Sequence, residues 1–166
     1  MTLYLAVDTS GSMGESDKRL VARSIVLTVA QYCRFERHPE VHIHLLATGD
    51  VSRSVEWNTE DEYPDELLDC SGKVDMLSLA KFVPPSDAKF ILVTDGAWGM
   101  PEKRAFEAIA ESLPRDAVRI IKVGAETSYN LQTFESRKMV FDAEEILEVL
   151  DRWLGASSVK RKEANG

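Results

Sequence analysis

Only two cysteines, Cys33 and Cys70, occur in the 166 residues, and neither belongs to a Cys-x-x-Cys pair or a Cys/His finger spacing. A disulfide framework and a structural zinc finger are therefore excluded. A chain of this length buries about two-thirds of its unfolded surface and needs no covalent staples. Basic residues are in deficit: 20 Lys and Arg face 28 Asp and Glu, a net charge of −8. That balance argues against a nucleic-acid partner, because phosphate-backbone binding requires a Lys/Arg footprint. No apolar run approaches the roughly 20 residues of a membrane span, so no membrane partner is expected. The first residues carry neither a basic segment nor a cleavage site, and the expected location is cytoplasmic, with reduced thiols.

What is present is an alternation of short apolar runs and amphipathic stretches, in a chain 44% hydrophobic and 29% charged. Residues 3–7 form an unbroken apolar run ending in Asp8, and Lys89-Phe-Ile-Leu-Val-Thr-Asp95 carries another apolar run, 90–93, towards an acid. Runs without alternation predict strands covered on both faces, as in a parallel sheet. Further strands are expected at 41–47, 118–123 and 139–141, and residues 51–57 alternate like a strand hairpinning back through Thr48-Gly49-Asp50. Helical spacing marks 16–34, a short helix at 75–82 stopped by Pro84-Pro85, 102–113 behind Pro101, and 144–154. Strands separated by helices predict an α/β fold, a doubly wound and mostly parallel central sheet with helices on both faces. Residues 1–155 are expected to form one domain, followed by a disordered basic tail at 156–166 that carries Lys160, Arg161 and Lys162.

In such folds ligands sit at the carboxyl ends of the strands, where the strand order reverses. Asp8 and Asp95 both end on that rim. Asp8-x-Ser10-x-Ser12 follows the first strand directly, so one carboxylate and two hydroxyls converge at the turn into the first helix, and Asp95 adds a second carboxylate. Hard oxygens at few positions, with room for water, suit Mg²⁺, with Mn²⁺ or Ca²⁺ as alternatives, better than soft metals.

The segment Asp8-Thr9-Ser10-Gly11-Ser12-Met13 resembles the DxSxS motif of von Willebrand factor A (vWA) domains, and Val93-Thr94-Asp95-Gly96 resembles that family's second acidic strand end. The element order is similar over nearly the whole chain. The resemblance implies a Rossmann-like sheet with one antiparallel edge strand, residues 51–57. It also implies a metal-ion-dependent adhesion site in which Ser10 and Ser12 ligate directly while Asp8 and Asp95 act largely through water. The implied function is that of a metal-dependent adaptor, not an enzyme, binding a protein partner that offers an Asp or Glu. An AAA+ ATPase of the MoxR-like group is the partner that bacterial relatives suggest. In some relatives the C-terminal helix, here 144–154, shifts when ligand binds.

One departure stands out. The family supplies a threonine before its second helix, and the matching segment here reads Ser71-Gly72-Lys73-Val74-Asp75-Met76, with Val74 in that place. Valine cannot ligate a cation. Three alternatives follow: Ser71 or Asp75 supplies the missing oxygen, water fills the position, or the site holds no metal, with Lys73 near enough to place an ammonium where the ion would sit.

Other chemistries fare worse. Dehalogenase-type phosphotransfer needs a second acid two residues after Asp8, where Ser10 stands. The turn 11–14 lacks the lysine of a P-loop, and Ser12, directly after Gly11, fails the Gly-x-Ser-x-Gly spacing. A Mg²⁺-dependent hydrolase or phosphotransferase using Asp8, or a structural subunit with a degenerate metal site, remain the alternatives. His42 and His44 share a strand face but lack further zinc ligands, so an ordinary histidine pair is expected. Cys33 reads as a core residue and Cys70 as a bystander. Trp98 reads equally as a rim anchor or as internal packing, and Met100-Pro101 adds apolar surface to its loop. Seven acids and no base occupy residues 56–69, so seven of the eight net negative charges lie in one stretch, expected to be a solvated loop with contact to a cationic partner as the alternative.

Overall fold

The apolar runs form strands because β-branched and leucine side chains on both pleat faces can be buried only between two helical layers. The computed structural model describes residues 1–35, 41–82, 87–125 and 128–155. The expected tail at 156–166 and the Pro84-Pro85 stop lie outside those residues. Six strands, β1 (Thr2–Asp8), β2 (His42–Thr48), β3 (Ser52–Ser54), β4 (Lys89–Thr94), β5 (Val118–Lys122) and β6 (Val140–Asp142), form one sheet in the order β3-β2-β1-β4-β5-β6. All pairings are parallel except β2 with β3. This is the mostly parallel, doubly wound α/β sheet with an antiparallel edge strand that the sequence predicts. The chain winds outward from β1 through β2 and then returns to β4 on β1's other side. The order therefore reverses between β1 and β4, the two strands that deliver Asp8 and Asp95.

Residue alternation assigns each face its layer. Leu3, Leu5 and Val7 of β1, with Ile91 and Val93 of β4, face α1 (Lys18–Phe35), whose inward stripe is Ala22, Ile25, Val26, Val29 and Cys33. Ala6, Phe90, Leu92 and Ile120 point to the opposite face. They are covered there by α2 (Met76–Leu79), by α3 (Met100–Ser112) through Phe106 and Ile109, and by α4 (Gln132–Ser136) through Phe134. The last helix, α5 (Ile146–Leu150), packs beside α1 and is extended by a 3₁₀ turn at Ala143–Glu145 and a π turn at Asp151–Gly155. None of the helices among the described residues is long and apolar enough to cross a membrane.

Three local expectations change. β3 is three residues long, not seven: Val51 is exposed, and Ser52 is taken up by bonds to Thr48, to Ser78 and to the Asp75 carbonyl. Residues 129–136, unread in the sequence, form a 3₁₀ turn and α4, seated by Leu131 and Phe134 alone, two apolar positions being too few to show a period. The acidic stretch is more than a solvated loop. Its seven acids are exposed, but Tyr63 and Leu67 plug into the core, and Arg53 and Arg34 reach Glu66 and Glu60 at 2.6 and 3.3 Å.

At the amino end of the sheet, the Lys89 ammonium donates to the Trp153 carbonyl at 3.1 Å and lies 4.5 Å from that indole's centre. The Arg119 guanidinium lies 4.9 Å from the same ring and donates to the carbonyls of Asp116 and Val118. The Trp153 Nε1 proton goes to the Asp116 carbonyl at 2.6 Å.

Candidate metal centre

The carboxyl end of β1 runs straight into the turn that carries Ser10 and Ser12. Asp8 is 1% exposed. Its Oδ1 accepts the Ser10 N–H at 2.9 Å, and its Oδ2 accepts the Thr94 hydroxyl at 2.6 Å. Thr94 in turn accepts the Gly96 N–H at 3.0 Å, so one hydroxyl joins the two strand ends. Burial pushes the Asp8 carboxyl above its ordinary value of 3.8. Hydrogen bonds from Ser10 and Thr94 pull it back, and the Asp95 charge pushes it further up. Asp95 follows β4: its Oδ1 accepts the Ala97 N–H at 3.1 Å, and its Oδ2 meets the Lys18 ammonium at 3.1 Å.

The Ser10 and Ser12 hydroxyls lie 3.3 Å apart. Both line a cleft of 340 Å³, whose other walls include Val74, Trp98 and Glu102. The turn is stitched to the 71–74 loop by Gly11 N–H to the Gly72 carbonyl (2.9 Å) and Ser71 N–H to the Thr9 carbonyl (3.0 Å). Gly72 has φ +67°, and a Cβ there would collide with the Asp50 carboxylate, which also accepts the Lys73 N–H at 3.0 Å. Only glycine lets this loop fold tightly enough to bring Val74 to the cleft.

The sequence-predicted residues divide into two groups. Asp8, Ser10, Ser12 and Asp95 come together at one corner of the rim. Asp75 does not join them: its Oδ1 caps α2, accepting the N–H groups of Leu77 and Ser78 at 3.0 and 3.2 Å. Ser71 is exposed and outside the cleft lining, and Lys73 stands exposed at the cleft's edge. The ammonium that meets a site carboxylate is that of Lys18, which no motif singled out. Thr94, directly before Asp95, has no role that its own sequence position indicates. Glu102 was hidden in the first turn of α3.

The donor set suits a hard divalent cation. Adjacent ligands of an octahedral Mg²⁺ lie about 2.9 Å apart, and the two serine oxygens need close by only a few tenths of an ångström. Each carboxylate oxygen keeps a lone pair beyond the bond it already accepts, enough to hold bound water. Among the described residues no group of three His, Cys, Asp or Glu side chains is arranged for a metal, so this site depends on its hydroxyls.

Elsewhere the alternatives resolve. His44 stacks on Tyr4 with centroids 5.0 Å apart and shares a 2.9 Å hydrogen bond with Ser54, as an ordinary packed histidine does. Burial pushes the Cys33 thiol up to about 11, and Cys70 lies against Gly14. Trp98 is buried against Phe106 and Phe134 at 5.6 and 6.4 Å, so it is packing and not an exposed anchor.

The chain has a von Willebrand factor A-like fold. Solved structures similar to it include a von Willebrand factor type A protein from Catenulispora acidiphila, with 15% identity and a TM-score of 0.55 over 89% of this chain and 40% of that one. Manganese-loaded TRAP protein from Plasmodium vivax is similar at 12% identity and a TM-score of 0.59, over 92% and 72% of the two chains. The proximal thread matrix protein 1 of mussel byssus, with zinc in its metal-ion-dependent adhesion motif, is similar at 13% and 0.56, over 94% and 45%. This chain thus spans less than half the length of two of these proteins. No family model matches the chain, and no curated protein sequence matches it significantly.

Proposed function

We propose that the carboxyl-end corner is a divalent-cation site through which this protein binds a carboxylate of a protein partner. The observation that carries the reading is the pair of serine hydroxyls 3.3 Å apart, beside two buried carboxylates and open to a cleft. A cation ligated by neutral hydroxyls keeps most of its charge and is strongly attracted to an incoming Asp or Glu. Similar folds are described as manganese-loaded and zinc-occupied, which supports a metal here. Mg²⁺ is the metal we assign, because hard oxygens and retained water suit it. Ser10 and Ser12 are its proposed direct ligands and Asp8 and Asp95 hold it through water, with a further water in the position that Val74 leaves without an oxygen. An adaptor role follows, with a MoxR-like AAA+ ATPase as the first partner to test.

A binding role is favoured over the hydrolase alternative by the burial of Asp8, whose two oxygens both accept protein hydrogen bonds. A nucleophile must reach its substrate, and this carboxylate is only 1% exposed, with both oxygens held by protein donors. The test is calorimetric titration of Mn²⁺ into the wild type and Ser12→Ala. The wild type is expected to bind, and the variant to lose about tenfold or more in affinity with the loss of one of two direct ligands. No Mn²⁺ uptake at millimolar concentration, either by the wild type or by a variant in which the Lys18 charge beside Asp95 is removed, would sink the reading.

A further inference from the structure

Among the described residues, the Lys18–Asp95 pair is the only ion pair with both partners largely shielded, the side chains being 14% and 4% exposed. Each of the others has at least one partner exposed by 45% or more. Its position is as telling as its burial. Lys18 opens α1, and its stem runs beside Gly124, whose φ is +91° and where a Cβ would stand 3.2 Å from the lysine Cε. The glycine after β5 therefore leaves the space that lets the lysine reach across to the end of β4. Lys18 and Asp95 line a hollow of 240 Å³ with Gly96, Gly124 and Ser128, and Ala97, directly after Gly96, lines both this hollow and the hydroxyl cleft of Ser10 and Ser12.

We infer that Lys18 is a built-in antagonist of the divalent cation: its ammonium holds Asp95 and sets how much metal the site requires before it loads. This inference rests on the cation-site reading above. With Asp8 and Asp95 ionised, the corner carries two negative charges, and Lys18 reduces them to one. A divalent ion entering beside Ser10 and Ser12 meets a carboxylate whose charge is already offset, together with a fixed positive charge in a poorly solvated setting where repulsion is weakly screened. Metal and ammonium thus weaken one another's hold on Asp95. Because such coupling is reciprocal, loading the metal loosens the Lys18 contact and with it the anchorage of the first turn of α1. The regulated quantity is the metal threshold, and the device is one side chain from another element.

The experiment is Mn²⁺ titration by calorimetry of the wild type, Lys18→Met, Lys18→Arg and Lys18→Met/Ser12→Ala, with thermal melting in EDTA to establish that each is folded. Lys18→Met is isosteric enough to keep the stem packed, and Lys18→Gln replaces it if it melts early. Removing one positive charge at this range is expected to tighten Mn²⁺ binding by about tenfold or more, while Lys18→Arg stays within about threefold of wild type. The gain must vanish when Ser12 is also removed. Binding by Lys18→Met alone, with none by wild type, supports the inference in its strongest form, an ammonium that outcompetes the ion. Equal Mn²⁺ affinity in wild type and Lys18→Met, both dependent on Ser12, overturns the antagonist role and leaves the cation site standing. No Mn²⁺ binding by either protein overturns the cation site itself, and the antagonist role with it.

Discussion

The two ends of the sheet both bury charge, and they dispose of it in opposite ways. At the amino end, Lys89 and Arg119 give their protons to main-chain carbonyls and lay their cations on the face of Trp153. Burial and the Arg119 charge push the Lys89 ammonium below its ordinary value, with Asp116 opposing them, and burial does the same to Arg119. These contacts are all made within the described chain, and the arrangement fastens the C-terminal turn to the sheet. At the carboxyl end, N–H and hydroxyl groups orient Asp8 without neutralising it, and among the described residues no cation contacts it. At the amino end the cations are satisfied by carbonyls and a ring face of the fold itself. A charge cluster that is held in place and left in charge deficit is the mark of a binding site.

The largest expected effect tests the amino end. Trp153→Ala removes a buried ring and two cation platforms, and is expected to cost about 3–5 kcal/mol in urea unfolding while Mn²⁺ affinity changes less than about twofold. A stability loss below about 1 kcal/mol would mean that this end is not the fastening described.

An intermediate effect tests the carboxyl end. The folded-state value of Asp8 lies above 3.8, so its contribution to stability is present below that pH and is lost as the pH rises through the raised value. Asp8→Asn keeps an acceptor for Ser10 and removes the charge. In EDTA at pH 7 it is expected to be more stable than wild type by about 1 kcal/mol, with the two melting curves converging below pH 4. Asp8→Asn melting lower than wild type at pH 7 would show that the carboxylate stabilises this fold. The smallest effect is Val74→Thr, which restores a hydroxyl to the cleft. Mn²⁺ is expected to bind about threefold tighter, at a stability cost of about 1 kcal/mol for burying the hydroxyl.

Most of the architecture could be read from the chain because its strands are apolar on both faces and its two long helices have clean stripes. The strand-terminal acids followed from the same pattern, whereas the antiparallel edge was marked by its alternation and by the family resemblance. What stayed hidden were features that depend on contacts between distant segments. Nothing around Lys18 distinguishes it from the exposed Arg19 beside it, since the groups that receive its side chain, Asp95 and Gly124, lie far along the chain. The fate of Asp75 was obscured for a different reason: a carboxylate before a helix serves equally as a ligand or as a cap, and the local N–H groups of Leu77 and Ser78 won. Trp98 resolved to packing only once Phe106 and Phe134, from two further helices, were in place around it.

The Thr94 hydroxyl, which donates to Asp8 and accepts from Gly96, has a consequence for the energetics of binding. One oxygen clamps the loops after β1 and β4 into a single rigid frame, so the acids are arranged during folding and not when a ligand arrives. The entropy of positioning them is spent in advance, and Thr94→Val should slacken both walls of the corner at once.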